Sequence, residues 1–223
     1  EYSRSQKTLS SEMINWISSF KDGDVFYDIG ANIGMFSLFT AKHWNSKVKV
    51  VAFEPSFSTF TSLTMNVAIN KLADKVSCFQ IALGESTRLG MFNYTSLRAG
   101  AALHTFDTLR NYRREEFVPV FQQSILSYSL DDFIENFGIP VPTQIKLDVD
   151  GTEMEILRGA KKTLANPKMK SVMIEIVDVS EYDQRTLSIV NYFNNLNFSC
   201  QEKFFHTKSL TFPRISDYFF VKV

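Results

Sequence analysis

Six charged side chains have the types and spacing to handle a small polar ligand. Asp28 stands in V-F-Y-D-I just before the turn G-A-N-I-G (residues 30–34), and Glu54 closes the run K-V-K-V-V-A-F-E. Lys146, Asp148 and Asp150 alternate along I-K-L-D-V-D, and Glu175 lies in S-V-M-I-E-I-V. Gly30 and Gly34 accept backbone angles closed to other residues and let a ligand lie against the main chain. The helix that begins at once offers free N–H groups and a positive dipole end. A nucleoside or a carboxylate-bearing cofactor can dock on such a turn. The dinucleotide fingerprint G-x-G-x-x-G is broken by Asn32, and the Gly-Lys-Ser/Thr ending of a P-loop is absent. The plain alternative is an ordinary strand-to-helix turn of an α/β protein.

An acid about 20 positions beyond a glycine turn accepts hydrogen bonds from ribose hydroxyls. Glu54 fits that place, or it is a carboxylate that merely finishes a strand. Lys146 is the unusual residue, since lysine rarely enters a buried strand without a partner. If its strand runs between those of Asp28 and Glu175, it can reach both carboxylates. The result would be a buried ionic cluster under the ligand. That cluster is either catalytic or only fixes the register of the sheet and orients the glycine turn.

These residues need a parallel sheet to bring them together. Residues 9–20 carry Met13, Ile14, Ile17 and Phe20 at helical spacing behind Ser10 and Ser11, which predicts a packing helix ahead of the sheet. Strands are expected at residues 25–29, 47–53 and 76–83, with helices after Gly34 and from Ser58 to about Leu72. This β-α-β-α-β pattern predicts parallel strands and a ligand beyond their carboxyl ends. Regularity fails over residues 86–124, where Met91 to Tyr94 and Val118 to Leu126 look extended. A segment this long is read as an insertion or lid. Its Arg110, Arg113 and Arg114 either face an anionic substrate or form a solvated helix face balanced by Glu115 and Glu116. Ser129 caps a helix ended by Gly138 and Pro140, and Thr152 with Glu155 has capping-box spacing before a helix ended by Pro167. After the strand from Ser171 to Val177 come a helix (184–196) and two extended segments (198–205 and 218–223), which suggests an antiparallel ending. One domain, residues 1–223, is expected.

The 223 residues are 44% hydrophobic and 22% charged, and 24 Lys+Arg balance 24 Asp+Glu. Nucleic-acid binders usually carry a basic excess, so no nucleic-acid partner is expected. The phenylalanines are dispersed, as core residues are. Cys78 and Cys200 are far apart, with Cys78 read as a buried thiol, and His43, His104 and His206 are isolated, so no metal site is expected. No apolar run reaches membrane-spanning length and no signal peptide is visible at the start, which reads as cytoplasmic.

The segments D-I-G-A-N-I-G, F-E-P, A-L-G-E, S-L-D-D-F and above all I-K-L-D-V-D-G-T-E-M-E-I-L-R-G-A resemble the FkbM-type methyltransferase family, from about Asp24 to Val177. The closing D-Y-F-F-V-K is also similar. The resemblance implies an α/β, Rossmann-like class I methyltransferase with a seven-stranded, mostly parallel sheet and an antiparallel last strand. It implies S-adenosylmethionine as cofactor. Asp28, Gly30, Ala31, Asn32 and Gly34 would surround its methionine part, Glu54 with Pro55 its ribose, and Ala82 its adenine. Asp148 would lie where donor and acceptor meet, with Lys146 and Glu175 behind it as catalytic support. The family commonly has Glu at position 150 and Ala at 152, where this chain has Asp150 and Thr152. The expected reaction is O-methylation of a small molecule, sugar or glycan. A catalytically silent interaction module and a nucleotide-dependent oxidoreductase are the competing readings.

Overall fold

The computed structural model describes residues 9–45, 47–111, 115–178, 180, 183–205 and 214–223. In chain order the first elements are α1 (Ser11–Ser18), β1 (Val25–Ile29), α2 (Met35–His43), β2 (Lys49–Phe53), α3 (Phe57–Ile69) and β3 (Val76–Phe79). Then come β4 (Ala82–Leu83), β5 (Arg88–Tyr94), β6 (Thr105–Phe106), β7 (Phe121–Tyr128), α4 (Leu130–Phe137) and β8 (Gln144–Leu147). The chain closes with α5 (Glu153–Gly159), α6 (Lys161–Ala165), β9 (Ser171–Asp178), α7 (Gln184–Asn194), β10 (Phe198–Phe205) and β11 (Arg214–Lys222).

Seven strands form the main sheet in the order β10-β11-β9-β8-β1-β2-β3. All pairs from β9 to β3 are parallel, and β11 runs antiparallel to both of its neighbours. β1 and β8 are buried at every position, which is why they read as nearly unbroken apolar runs. Helices cover both faces. Ile17, Ala41, Leu63 and Val67 bring α1, α2 and α3 against one face, and Leu130, Ile156, Leu164 and Phe193 bring α4 to α7 against the other.

Local signals explain several boundaries. Ser10 Oγ accepts from Met13 N and Ser129 Oγ from Asp132 N, while Gly138 ends α4 with φ 61°. Others were misread. The expected strand over 76–83 breaks after Phe79, and Ala82–Leu83 joins a second, four-stranded sheet of order β4-β7-β5-β6. The capping box is not formed. Thr152 makes no side-chain cap, and Glu153 Oε1 instead accepts from Gly151 N at 3.0 Å. Helix α3 begins at Phe57 rather than Ser58, and the helix expected up to Pro167 is interrupted at Ala160. Cys78 is only half-buried. The described part of 110–116 is no helix: Arg110 and Glu116 form an antiparallel bridge and an ion pair at 3.3 Å. Arg113, Arg114 and His206 lie outside the described residues.

The 86–124 stretch therefore contributes β5, β6 and the start of β7 to the second sheet, whose small core is Ala82, Phe92, Tyr94 and Ile125. Tyr94 fastens it to the main body. Its hydroxyl donates to Gln123 Oε1 at 2.6 Å and accepts from Phe57 N, at the start of α3, at 3.1 Å.

Candidate active site

The chain builds β2 and β3 on one side of β1 and then crosses to β8 and β9 on the other, so the strand order reverses between β1 and β8. In open α/β sheets a ligand lies beyond the carboxyl ends of the strands at such a point. The glycine turn and Asp148 meet there, with Asp148 N donating to Ile29 O at 3.1 Å. Gly30 has φ +73°, and a Cβ on it would stand 1.9 Å from Asp148 O, so both the angle and the space demand glycine. Gly30 N and Ala31 N donate to Phe53 O (3.1 and 2.9 Å), folding the turn onto the end of β2 beside Glu54.

Lys146 sits beneath this turn. The parallel register pairs it with Asp28 on β1 and Met173 on β9. Its ammonium donates to Gly30 O at 2.9 Å and lies 3.3 Å from Asp28 Oδ1, 3.2 Å from Asp148 Oδ2 and 4.8 Å from the centre of the Phe36 ring. Its side chain is 2% exposed. Burial works against the charge, but the carboxylates of Asp148, Asp28 and Glu175 outweigh it and hold the lysine pKa above its ordinary value. Lys146 is thus a fixed cation that orients its neighbours and cannot serve as a base near neutral pH. Asp28 is anchored from its other oxygen, where Oδ2 accepts from Ser37 N (3.1 Å) and Ser37 Oγ (2.6 Å). Asp148 differs from both, because its side chain is 22% exposed at the carboxyl end of β8.

Glu54 ends β2 and is buried. Oε2 accepts from Asn32 N and Oε1 from Ser56 N, each at 2.9 Å. Burial pushes its pKa up to about 7, against the pull of those amides and of Lys146. Pro55, half-buried, connects it to the cap position of α3. Ala82 is placed differently from these residues, since it packs in the core of the second sheet. Glu175 stands one strand beyond Asp148 and acts on Lys146 through space.

Several residues of this region were missed by reading the sequence. Ser37 and Phe36 complete the surroundings of Asp28 and Lys146, and their place in the first turn of α2 was the available signal. Asp217 is buried and pairs across β11 with Glu175, a contact that only the antiparallel register creates. Asp150 was singled out in the sequence, but not its partner: it accepts a hydrogen bond from Leu103 N in the insertion. Among the described residues, no three His, Cys, Asp or Glu side chains are grouped so as to hold a metal ion, and no helix is long and apolar enough to cross a membrane.

Comparison with known proteins shows the family and the fold. A family model described as the methyltransferase FkbM domain matches residues 28–200. The hexuronic acid methyltransferase AglP of Haloferax volcanii is 28% identical over 156 residues, covering 70% of this chain and 57% of that protein. The 31-O-demethyl-FK506 methyltransferase FkbM of Streptomyces tacrolimicus is 28% identical over 179 residues, 71% of this chain and 67% of that protein. The chain spans 57–67% of the length of these relatives. Among solved structures, precorrin-6y C5,15-methyltransferase from Geobacter metallireducens GS-15 superposes with TM-score 0.56 at 11% identity, covering 97% of this chain and 92% of that one. M. capricolum TrmK in complex with S-adenosylhomocysteine gives TM-score 0.52 at 13% identity, covering 96% and 69%. At such identities these two show a shared fold, the Rossmann-like class I methyltransferase fold. The family implies S-adenosylmethionine as cofactor, and the ends of β1, β2 and β8 carry acceptors of the right chemistry for it. Glu54 suits a ribose diol, and the carboxylates around Lys146 suit a cationic ligand. By its matching domain and its fold, this chain is a member of the FkbM methyltransferase family.

Proposed function

We propose that this chain methylates a hydroxyl oxygen of a small molecule, sugar or glycan, and that Asp148 is the residue that meets the acceptor. The observation carrying this reading is the contrast within the cluster. Lys146 and Asp28 are sealed at 2% and 0% side-chain exposure, whereas Asp148, held by the same ammonium, opens at 22% into the crevice at the end of β8. S-adenosylmethionine supplies an electrophilic methyl group on a sulfonium when bound. Asp28, Gly30, Ala31, Asn32 and Gly34 hold its methionine part, Glu54 with Pro55 holds the ribose, and Ala82 borders the adenine. Asp148 takes up or orients the proton that the acceptor hydroxyl loses, and Lys146 and Glu175 fix its position and charge. Positioning supplies much of the acceleration in a displacement of this kind, and a carboxylate at the acceptor adds general-base help.

Oxygen as the methylated atom draws on two relatives, one named for a hexuronic acid and one for a 31-O position. The test is isothermal titration of the purified chain with S-adenosylmethionine and S-adenosylhomocysteine, with NAD as control. An acceptor panel of hydroxylated sugars follows, the methylated atom being located by mass spectrometry. Binding of both sulfur nucleosides and not NAD, followed by turnover on a hydroxyl, is the expected result. Failure of both nucleosides to bind overturns the reading.

A further inference from the structure

The insertion carries a short strap that lies over the glycine turn and beside Asp150. Residues 95–104 leave the end of β5 and return to the start of β6, and the loop is closed at its base by Thr95. Thr95 N donates to His104 Nδ1 at 3.2 Å, and Thr95 Oγ1 donates to Ala102 O at 3.0 Å. A loop of this length whose ends lie close together is a compact unit of the kind that is frequently functional. His104 is itself wedged between Phe92 and Tyr94, with ring centroids at 5.6 and 5.1 Å, so the base is anchored in the small core.

The tip of the strap touches both walls of the crevice. On the β2 side, Gly100 N donates to Thr59 Oγ1 in the first turn of α3 at 3.2 Å. A Cβ on Gly100 would lie 3.4 Å from Ile33 Cγ2 and 3.6 Å from Asn32 Oδ1, so the strap rests on the glycine turn itself. On the β8 side, Leu103 N donates to the Asp150 carboxylate. Leu103 holds φ +67°, a left-handed backbone that a leucine adopts only when its surroundings impose it. The strap is therefore tied at Thr59 and at Asp150, one tie on each side of the point where the strand order reverses.

We propose that residues 95–104 are the gate of the cofactor crevice and that Asp150 is its positioning residue, latching the gate through the amide of Leu103. The latch lies two residues beyond Asp148 on the same strand exit, so closure and placement of the reacting carboxylate share one short piece of backbone. The role of Asp150 is that of a hydrogen-bond acceptor toward the strap and not that of a charge toward the ligand. The inference rests on the reading that S-adenosylmethionine occupies this crevice.

The experiment compares the intact chain with Asp150→Ala, Asp150→Asn and Thr59→Val. Hydrogen exchange of residues 97–103 is followed in the free protein, and the dissociation rate of S-adenosylhomocysteine by stopped-flow displacement. Asparagine keeps an oxygen that can accept from Leu103 N, so Asp150→Asn should exchange and release within about threefold of the parent. Asp150→Ala and Thr59→Val should each speed strap exchange and ligand release about tenfold or more, with a thermal melt close to the parent's. Unchanged exchange and release in Asp150→Ala overturn the latch. Equal loss in Asp150→Asn and Asp150→Ala overturns the acceptor role and makes the charge the working feature. If S-adenosylhomocysteine does not bind the intact chain, the cofactor reading fails by itself, while exchange of the free protein still decides whether Asp150 holds the strap.

Discussion

Strand β1 has a buried aspartate at each end, and the two are built to opposite specifications. Asp24, just before the strand, has both oxygens engaged: Lys170 Nζ at 2.6 Å and Thr143 Oγ1 at 2.9 Å on one, Lys21 N at 2.8 Å and Gln144 Nε2 at 3.4 Å on the other. Burial would raise its pKa, but these donors outweigh it and hold the carboxyl below its ordinary value. Asp28, near the other end, is 0% exposed, yet only Oδ2 is hydrogen-bonded, to Ser37. Its Oδ1 has the Lys146 ammonium at 3.3 Å and no hydrogen bond of good geometry. A carboxylate with every acceptor position satisfied is a fastening, tying β1 to the starts of β8 and β9. Asp28 is held less completely, by Ser37 on one oxygen and on the other by a lysine that it shares with the more exposed Asp148. The difference supports the proposed site at the carboxyl end of the sheet, where the strand-order argument also puts it.

Lys146→Met attacks the comparison hardest. It leaves Asp28 and Asp148 without their shared cation, and breaking a buried pair in this way costs about 3–5 kcal/mol. Urea unfolding should show that loss, with activity lost as well. Asp148→Asn should separate chemistry from folding. Turnover is expected to fall about 10²–10⁴-fold, the usual worth of a general base, with cofactor affinity within a few-fold by titration and the melt unchanged. Collapse of affinity together with activity would move Asp148 into the cofactor's own surroundings.

Asp24→Asn should do the reverse, losing ~1–3 kcal/mol of stability with normal activity per folded molecule. Because the folded pKa of Asp24 is depressed, its contribution is present above its unfolded value of 3.8 and disappears as pH falls through the folded value. The stability gap between parent and variant should therefore close in acid. The smallest effect belongs to Glu54. Its pKa is raised from 4.5 to about 7, so ionising it costs the folded protein stability as pH rises through that window. In the proposed cofactor complex the ionised form is nevertheless the better acceptor for ribose hydroxyls. Affinity for S-adenosylhomocysteine should fall by up to about tenfold per pH unit below pH 7, and Glu54→Gln should flatten that slope.

Much of this site was legible because it lies at strand ends with plain local signals. The Gly30–Gly34 turn follows an apolar strand, Glu54 closes the next one, and a lysine at position 146 in an apolar run announces buried partners. The family-like segments added order and spacing to these signals. What failed depended on competition between nearby groups. Before α5, Glu153 accepts from Gly151 N, and Thr152 makes no side-chain cap. Ala82 looked like the end of one strand because its apolar pattern continues from Val76. Only the pairing of Ala82 with Ser127 reassigns it to the second sheet.

The sequence by itself determined the alternation of strands and helices, the glycine turn and the identity of the charged residues. These follow from periodicity and backbone preference, which act over a few neighbouring residues. The tertiary structure alone decided that Lys146 stands between Asp28 and Asp148, that Asp217 faces Glu175, and that Leu103 is tied to Asp150. Each of these contacts joins parts of the chain through strand order, register or loop closure, and burial decides their charge and strength.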